Sequence, residues 1–123
     1  MKYDLEERTA KFGESVIETV GKIQITPVNK RIIEQLVGSS GSIGANYNEA
    51  NEGESKKDFY HKMQIAKKEI KETQHWLRLL ASAQPELKEI IRELWGEVHQ
   101  LLLIFSKILS TRKNENRAVE NYL

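Results

Sequence analysis

The residues best suited to chemistry in this sequence lie along one face of a helix predicted between Ser55 and Ala83. At 100° per residue, that face collects basic and polar side chains and contains no acid. We call it the basic face, and its members are Lys57, His61, Gln64, Lys68, Lys71, His75 and Arg78. Cationic side chains in such a row can neutralise phosphates, which supplies most of the non-specific affinity for nucleic acid. We therefore predict binding of single-stranded or structured RNA, or of DNA, by Lys57, His61, Lys68, Lys71, His75 and Arg78.

A solvated surface is the alternative interpretation of the same face. The side of a helix opposite a core has to be polar, and lysine is a common residue there. The pattern alone therefore favours a solvated face, whereas the lack of acids on it favours a binding role. If phosphate contacts form, affinity has to fall steeply with salt.

Metal and covalent chemistry find little support. Helical bundles that hold two iron ions use two Glu-x-x-His motifs and two further glutamates, whereas Glu72 and His75 supply a single motif. Neither His61 nor His99 has an acid three positions before it. The glycines at 38, 41 and 44 lack the Gly-Lys-Ser/Thr sequence of a phosphate loop, and no Ser-His-Asp grouping stands out. We expect no enzyme, no metal and no cofactor.

The composition indicates one folded domain. The chain has 123 residues, 39% hydrophobic and 30% charged, without cysteine and without an apolar run long enough to span a membrane. The N-terminus lacks the apolar stretch of a signal peptide, so a cytoplasmic location is expected. Net charge is only +1, but residues 56–84 hold seven Lys and Arg against three Asp and Glu. The positive charge is therefore concentrated on the helix that carries the basic face.

Apolar spacing predicts four helices. In the third, a seam lies opposite the basic face and consists of Phe59, Met63, Ala66, Ile70, Thr73, Leu77 and Leu80. Ser55 is its predicted N-cap, and Pro85 opens the fourth helix. That helix has its own seam, Leu87, Ile91, Leu94, Val98, Leu101, Phe105 and Ile108, widened by Trp95, Leu102 and Leu109. The first helix is predicted from Asp4 to Ile23, and the second from Asn29 to Glu52.

Two features leave alternatives open. Residues 38–44 are predicted either as part of a continuous second helix or as a loop, because glycine is common in both breaks and close contacts. If helical, this stretch has a row of small residues pointing away from the core, Gly38, Ser42 and Ala45.

The third helix has a stripe of mixed character between its seam and its basic face: Asp58, Lys62, Ile65, Glu69, Glu72, Trp76 and Leu79. We predict an oligomer interface formed by Gly38, Ser42, Ala45, Ile65, Trp76 and Leu79, although a neighbouring helix of the same chain can also cover Trp76.

These elements make an all-α fold. Four amphipathic helices with short connections predict an antiparallel up-down-up-down four-helix bundle. It spans residues 1–111, and residues 112–123 form a polar tail that is expected to be disordered.

The central segment SIGANYNEANEGESKKDFYHKMQIAKKEIKETQHWLRLL resembles a known family. It is similar to the small bacterial four-helix-bundle proteins encoded within intervening sequences of 23S ribosomal RNA genes. The shared pattern is Ser-Ile-x-Ala-Asn, an acidic link with glycine, and a Lys-x-x-Phe helix start. Where many relatives read Asn-Ile-Ala-Glu-Gly, this chain reads Asn46-Tyr47-Asn48-Glu49-Ala50 and continues with Asn51-Glu52-Gly53.

The resemblance implies a non-enzymatic protein that assembles into a homo-oligomeric ring of five. It also implies kinship with the accessory variability determinant of diversity-generating retroelements, a basic barrel that binds nucleic acid and a reverse transcriptase. The sequence therefore predicts a self-associating bundle that contacts RNA or a ribonucleoprotein through its third helix. The alternative is a protein-binding adaptor or scaffold without nucleic-acid contact.

Overall fold

Four α-helices make up nearly all of the part of this chain that the structure describes. The computed structural model describes the backbone of residues 4–122 and the side chains of residues 4–111. Helix α1 runs over Leu5–Val20, α2 over Lys30–Asn51, α3 over Lys56–Ala83 and α4 over Lys88–Tyr122, with a single 3₁₀ turn at Pro85–Leu87. Each helix packs on the next, and α4 returns to α1, as in an up-down bundle. The predicted all-α class is confirmed. The predicted polar tail, residues 112–123, lies outside the residues whose side chains are described.

The helix starts follow from local capping. The carboxylate of Asp4 accepts a hydrogen bond from the Glu7 amide at 3.2 Å, and the Ser55 hydroxyl accepts one from the Asp58 amide at 3.1 Å. Each bond satisfies one of the amides left free in the first turn of a helix. Helix α1 ends at Val20, three residues before the predicted end. The Gly21 amide still donates to the Ile17 carbonyl four residues earlier, but the Ile23 amide donates to Val20, three residues earlier, which is a turn and not an α-helical bond.

Helix α2 continues through residues 38–44, which decides between the two interpretations of this stretch. Leu36, Ser40 and Ile43 are buried in the bundle, so the helical period of the core is kept through the glycines. Gly44 packs directly on α1. A β-carbon added there would lie 3.0 Å from Thr9 Oγ1 and 3.3 Å from Thr9 Cβ. Glycine at this position therefore permits the close approach of two helices.

The seam of α3 faces the core as predicted. Met63, Ala66, Ile70, Thr73, Leu77 and Leu80 are all buried, and Phe59 is half-buried at the end of the bundle. Thr73 lies fully inside, where its hydroxyl donates to Ser39 Oγ of α2 at 2.9 Å. This bond satisfies a polar group that would otherwise be costly to bury.

The seam of α4 differs from the prediction at its edges. Trp95 was expected to widen the core but is 41% exposed, so that expectation is wrong, whereas Ile104 is buried. Trp95 lies about 100° around α4 from Leu94, at the margin of the core-facing arc. The groove beside Trp95 is lined on the α3 side by Leu77, Arg78 and Ala81. Of these, Leu77 is buried in the core and Ala81 is small, so the indole stays partly open to water.

Two glycines of α2 are expected to respond oppositely to substitution. A β-carbon at Gly41 meets nothing within 4 Å, so Gly41→Ala should stabilise the fold by about 1 kcal/mol through helix propensity. Gly44→Leu should destabilise it by about 1–3 kcal/mol, because the side chain collides with Thr9. Urea unfolding of both variants measures the two effects. Equal destabilisation by both would contradict the packing described for Gly44.

Candidate nucleic-acid interface

The basic face forms one uninterrupted row on the outside of the bundle. All seven of its side chains are exposed, and all belong to the 28-residue helix α3. From Lys57 to Arg78 the row is about 32 Å long, at 1.5 Å of helix rise per residue. Because the opposite side of α3 is buried along most of its length, the helix cannot rotate this row inward without exposing the core.

The cations of the basic face are not committed to carboxylates. None of the salt bridges among the described side chains includes Lys57, Lys68, Lys71 or Arg78. The cation on α3 that does pair is Lys62 of the mixed stripe, whose Nζ lies 2.6 Å from Glu49 Oε2 on α2. The row can therefore bind an anionic ligand without first breaking one of these ion pairs.

Acids border the basic face on one side only, in the mixed stripe. Partial burial raises the pKa of Glu69, the nearby Glu72 carboxylate raises it further, and Lys68 lowers it. Glu72 also accepts a hydrogen bond from Trp76 Nε1 at 3.3 Å. The Trp76 ring in turn meets the His75 ring edge to face, with centroids 5.0 Å apart. Glu72 thus holds an indole in place.

No metal centre is formed by the described residues. Among them, no group of three or more His, Asp or Glu side chains is arranged to hold an ion. In this same part of the chain, no helix has both the length and the apolar character needed to cross a bilayer.

The residues predicted as an oligomer interface lie on two adjacent helices. Gly38 and Ala45 are exposed on α2 and Ser42 is half-buried there, whereas Ile65, Trp76 and Leu79 are half-buried on α3. Two contacts, Ser39 with Thr73 and Glu49 with Lys62, fix α2 antiparallel to α3. The second of them joins the helix side that carries Gly38, Ser42 and Ala45 to the mixed stripe of α3, and Ala45 also lines the groove between α1 and α2. Trp76 also packs against its own core, which accounts for part of its burial.

A family model for the 23S rRNA-intervening sequence protein matches residues 2–107. The chain belongs to this family. The match covers α1, α2, α3 and the part of α4 up to residue 107, and it confirms the resemblance carried by the central segment. No curated protein matches this sequence.

A solved structure supports the same assignment for the fold. This chain resembles a crystal structure from Bacteroides thetaiotaomicron VPI-5482, described as a protein of unknown function from the S23 ribosomal protein family. The TM-score is 0.75 at 25% sequence identity, and the likeness covers 85% of this chain and 96% of that chain.

The sequence did not lead us to predict one further part of the surface, a groove between α3 and α4. Arg78, at the end of the basic face, also lines this groove together with Lys88, Arg92 and Trp95. The cations at 88 and 92 and the tryptophan at 95 follow one another at steps of four and three. That spacing could have indicated a shared face, but Trp95 was assigned to the core.

Proposed function

We propose that this chain is a non-catalytic, self-associating four-helix bundle that binds RNA through the basic face of α3. The observation that carries the proposal is the basic face itself, an exposed row without acids on the segment that holds most of the excess of positive charge. A row of this kind attracts a phosphate backbone regardless of sequence. Membership of the 23S rRNA-intervening sequence protein family is compatible with an RNA ligand.

Self-association is the second part of the proposal. The small and apolar residues of the adjacent helices α2 and α3 offer a surface that a second copy can cover. A closed homo-oligomeric ring, with five subunits as the expected number, would place several basic faces around one axis. Because linked sites multiply their affinities, rows that are weak in a monomer bind strongly once they are combined.

A salt titration tests RNA binding. The measurement is the affinity for a fluorescein-labelled 20-nucleotide single-stranded RNA between 50 and 200 mM salt, after sedimentation velocity has established the oligomeric state. Four phosphate contacts, one for each Lys or Arg of the basic face, predict a slope of log K against log salt of about −3 or steeper. Affinity that does not change with salt contradicts the proposal.

Two further results decide between the alternatives. A stoichiometric protein partner that binds independently of salt supports the adaptor alternative. A monomer in sedimentation velocity at high micromolar concentration contradicts self-association.

A further inference from the structure

We propose that the groove between α3 and α4 is a stacking site in which Trp95 receives a base of bound single-stranded RNA. We call it the Trp95 groove; its lining is Leu77, Arg78, Ala81, Lys88, Ile91, Arg92 and Trp95. This inference rests on the proposed function, since it identifies where RNA is held by its bases in addition to its phosphates.

The residues that line the Trp95 groove suit a single nucleotide. The groove has a volume of about 360 Å³, with an apolar floor that includes Leu77 and Ile91 and three cations from two helices. No carboxylate lines it. Apolar and aromatic surface beside positive charge fits a ligand that has flat rings and a phosphate, as every nucleotide of a single strand does.

The indole of Trp95 is both accessible and held in position. Its side chain is 41% exposed. The ring stacks on that of His99, one helical turn further on, with centroids 4.8 Å apart and planes 12° apart. Because His99 covers part of the indole and supports it, Trp95 does not have to give up much side-chain freedom on binding a base.

Arg92 is available to a phosphate. Its guanidinium lies 3.3 Å from Glu89 Oε1, one turn earlier on α4, but both side chains are largely exposed, at 67% and 82%. An ion pair as exposed as this one contributes little to stability, so Arg92 can bind a phosphate in place of Glu89 at a small cost in free energy. Lys88 is exposed on the same helix and needs no exchange.

The Trp95 groove is continuous with the basic face, because Arg78 belongs to both. A strand that follows the row from Lys57 to Arg78 therefore arrives at the groove. The other two grooves described on the bundle differ in charge. The groove between α1 and α4 includes Glu18, Glu93 and Glu97, and the groove between α1 and α2 includes Glu6 and Glu14. Their acids repel a polyanion, so the Trp95 groove is the one of these three that suits RNA.

Tryptophan emission tests stacking directly. Trp76→Phe leaves Trp95 as the sole tryptophan, so the fluorescence of this full-length variant reports on the groove. Because Trp76 belongs to the predicted oligomer interface, sedimentation velocity first verifies that the variant keeps the oligomeric state of the native sequence. Single-stranded RNA of 20 nucleotides should quench the Trp95 fluorescence on binding, whereas inorganic polyphosphate with the same number of charges should not, because it has no bases. In the native sequence, Trp95→Ala should weaken RNA binding about ten-fold, the effect of losing one stacked base. Leu103→Ala is the matched control, since it removes an exposed apolar side chain of α4 that does not line the groove.

The outcomes separate this inference from the proposed function. Salt-dependent RNA binding with unchanged Trp95 emission, and with equal affinity for Trp95→Ala, overturns the stacking site and leaves the basic face as the binding surface. Absence of RNA binding overturns both. Trp95 emission that changes with protein concentration in the absence of RNA means that a second copy covers the groove, which also overturns the stacking site. Circular dichroism of Trp95→Ala verifies that any loss of affinity is not a loss of fold.

Discussion

Reversal of two charges in the middle of the basic face, Lys68→Glu with Lys71→Glu, should weaken RNA binding about 30-fold at 50 mM salt. Each reversal removes one attraction to a phosphate and adds one repulsion. An exposed charge pair contributes about 0.5 kcal/mol, so two lost attractions and two new repulsions weaken the binding free energy by about 2 kcal/mol. The slope of log K against log salt should also become shallower by about 1.4, because two phosphate contacts are lost. Fluorescence anisotropy with labelled RNA at several salt concentrations measures both quantities.

The control for this experiment has the same change in net charge at another place. Lys22 and Lys107 are exposed on the chain outside α3, so Lys22→Glu with Lys107→Glu matches the altered charge without touching the basic face. An equal loss of affinity in both double variants would mean that RNA responds to net charge and not to the row on α3. Both lysines at 68 and 71 are exposed, so stability is expected to change by less than about 1 kcal/mol.

Asn29→Ala should lower the free energy of unfolding by about 3 kcal/mol. The side chain of Asn29 is fully buried between the two connections at one end of the bundle. Its Oδ1 accepts from the Thr26 amide at 2.8 Å, and its Nδ2 donates to the Gln24 carbonyl at 3.0 Å and to Gln84 Oε1 at 2.9 Å. Alanine removes all three bonds, at about 1 kcal/mol for each bond.

Urea unfolding of Asn29→Ala and Asn48→Ala tests the role of this side chain. Asn48 is exposed on α2, so its replacement should change stability by less than about 0.5 kcal/mol. If Asn29→Ala were as mild as this control, water would have to replace the bonds, and the side chain would not be the link between the α1–α2 and α3–α4 connections. RNA affinity measured for Asn29→Ala well below its unfolding transition should stay unchanged, because the basic face is elsewhere.

The period of the apolar residues was sufficient to predict which residues are buried wherever one face of a helix packs against the core. The seam from Met63 to Leu80 follows from the repeat of apolar residues alone, and the exposure of the basic face follows from the seam. Capping by Asp4 and Ser55 was equally predictable, since both bonds stay within one helical turn. The family, too, could be recognised from the central segment, and the model match over residues 2–107 confirms it.

The edges of the bundle were not predictable in this way. Whether Trp95 is inside or outside depends on the helix across the groove, where the lining residues of α3 are Leu77, Arg78 and Ala81. The glycines at 38, 41 and 44 are compatible with a loop when the sequence of this stretch is considered alone. The close packing of Gly44 involves Thr9 of α1, which lies 35 positions away in the chain. Asn29 was predicted only as a helix start, and its bond to Gln84 joins residues 55 positions apart.

The amino-acid sequence by itself therefore determined the four helices, the inward side of α3 and the position of its lysine row, because a 3.6-residue period is a local property of the chain. Only the tertiary structure decided that residues 38–44 are helical, that Asn29 joins two connections, and that Arg78, Lys88, Arg92 and Trp95 line one groove. These features arise from pairs of residues brought together by helix packing, and the size of the side chain on the opposite helix is not encoded in the period of either one.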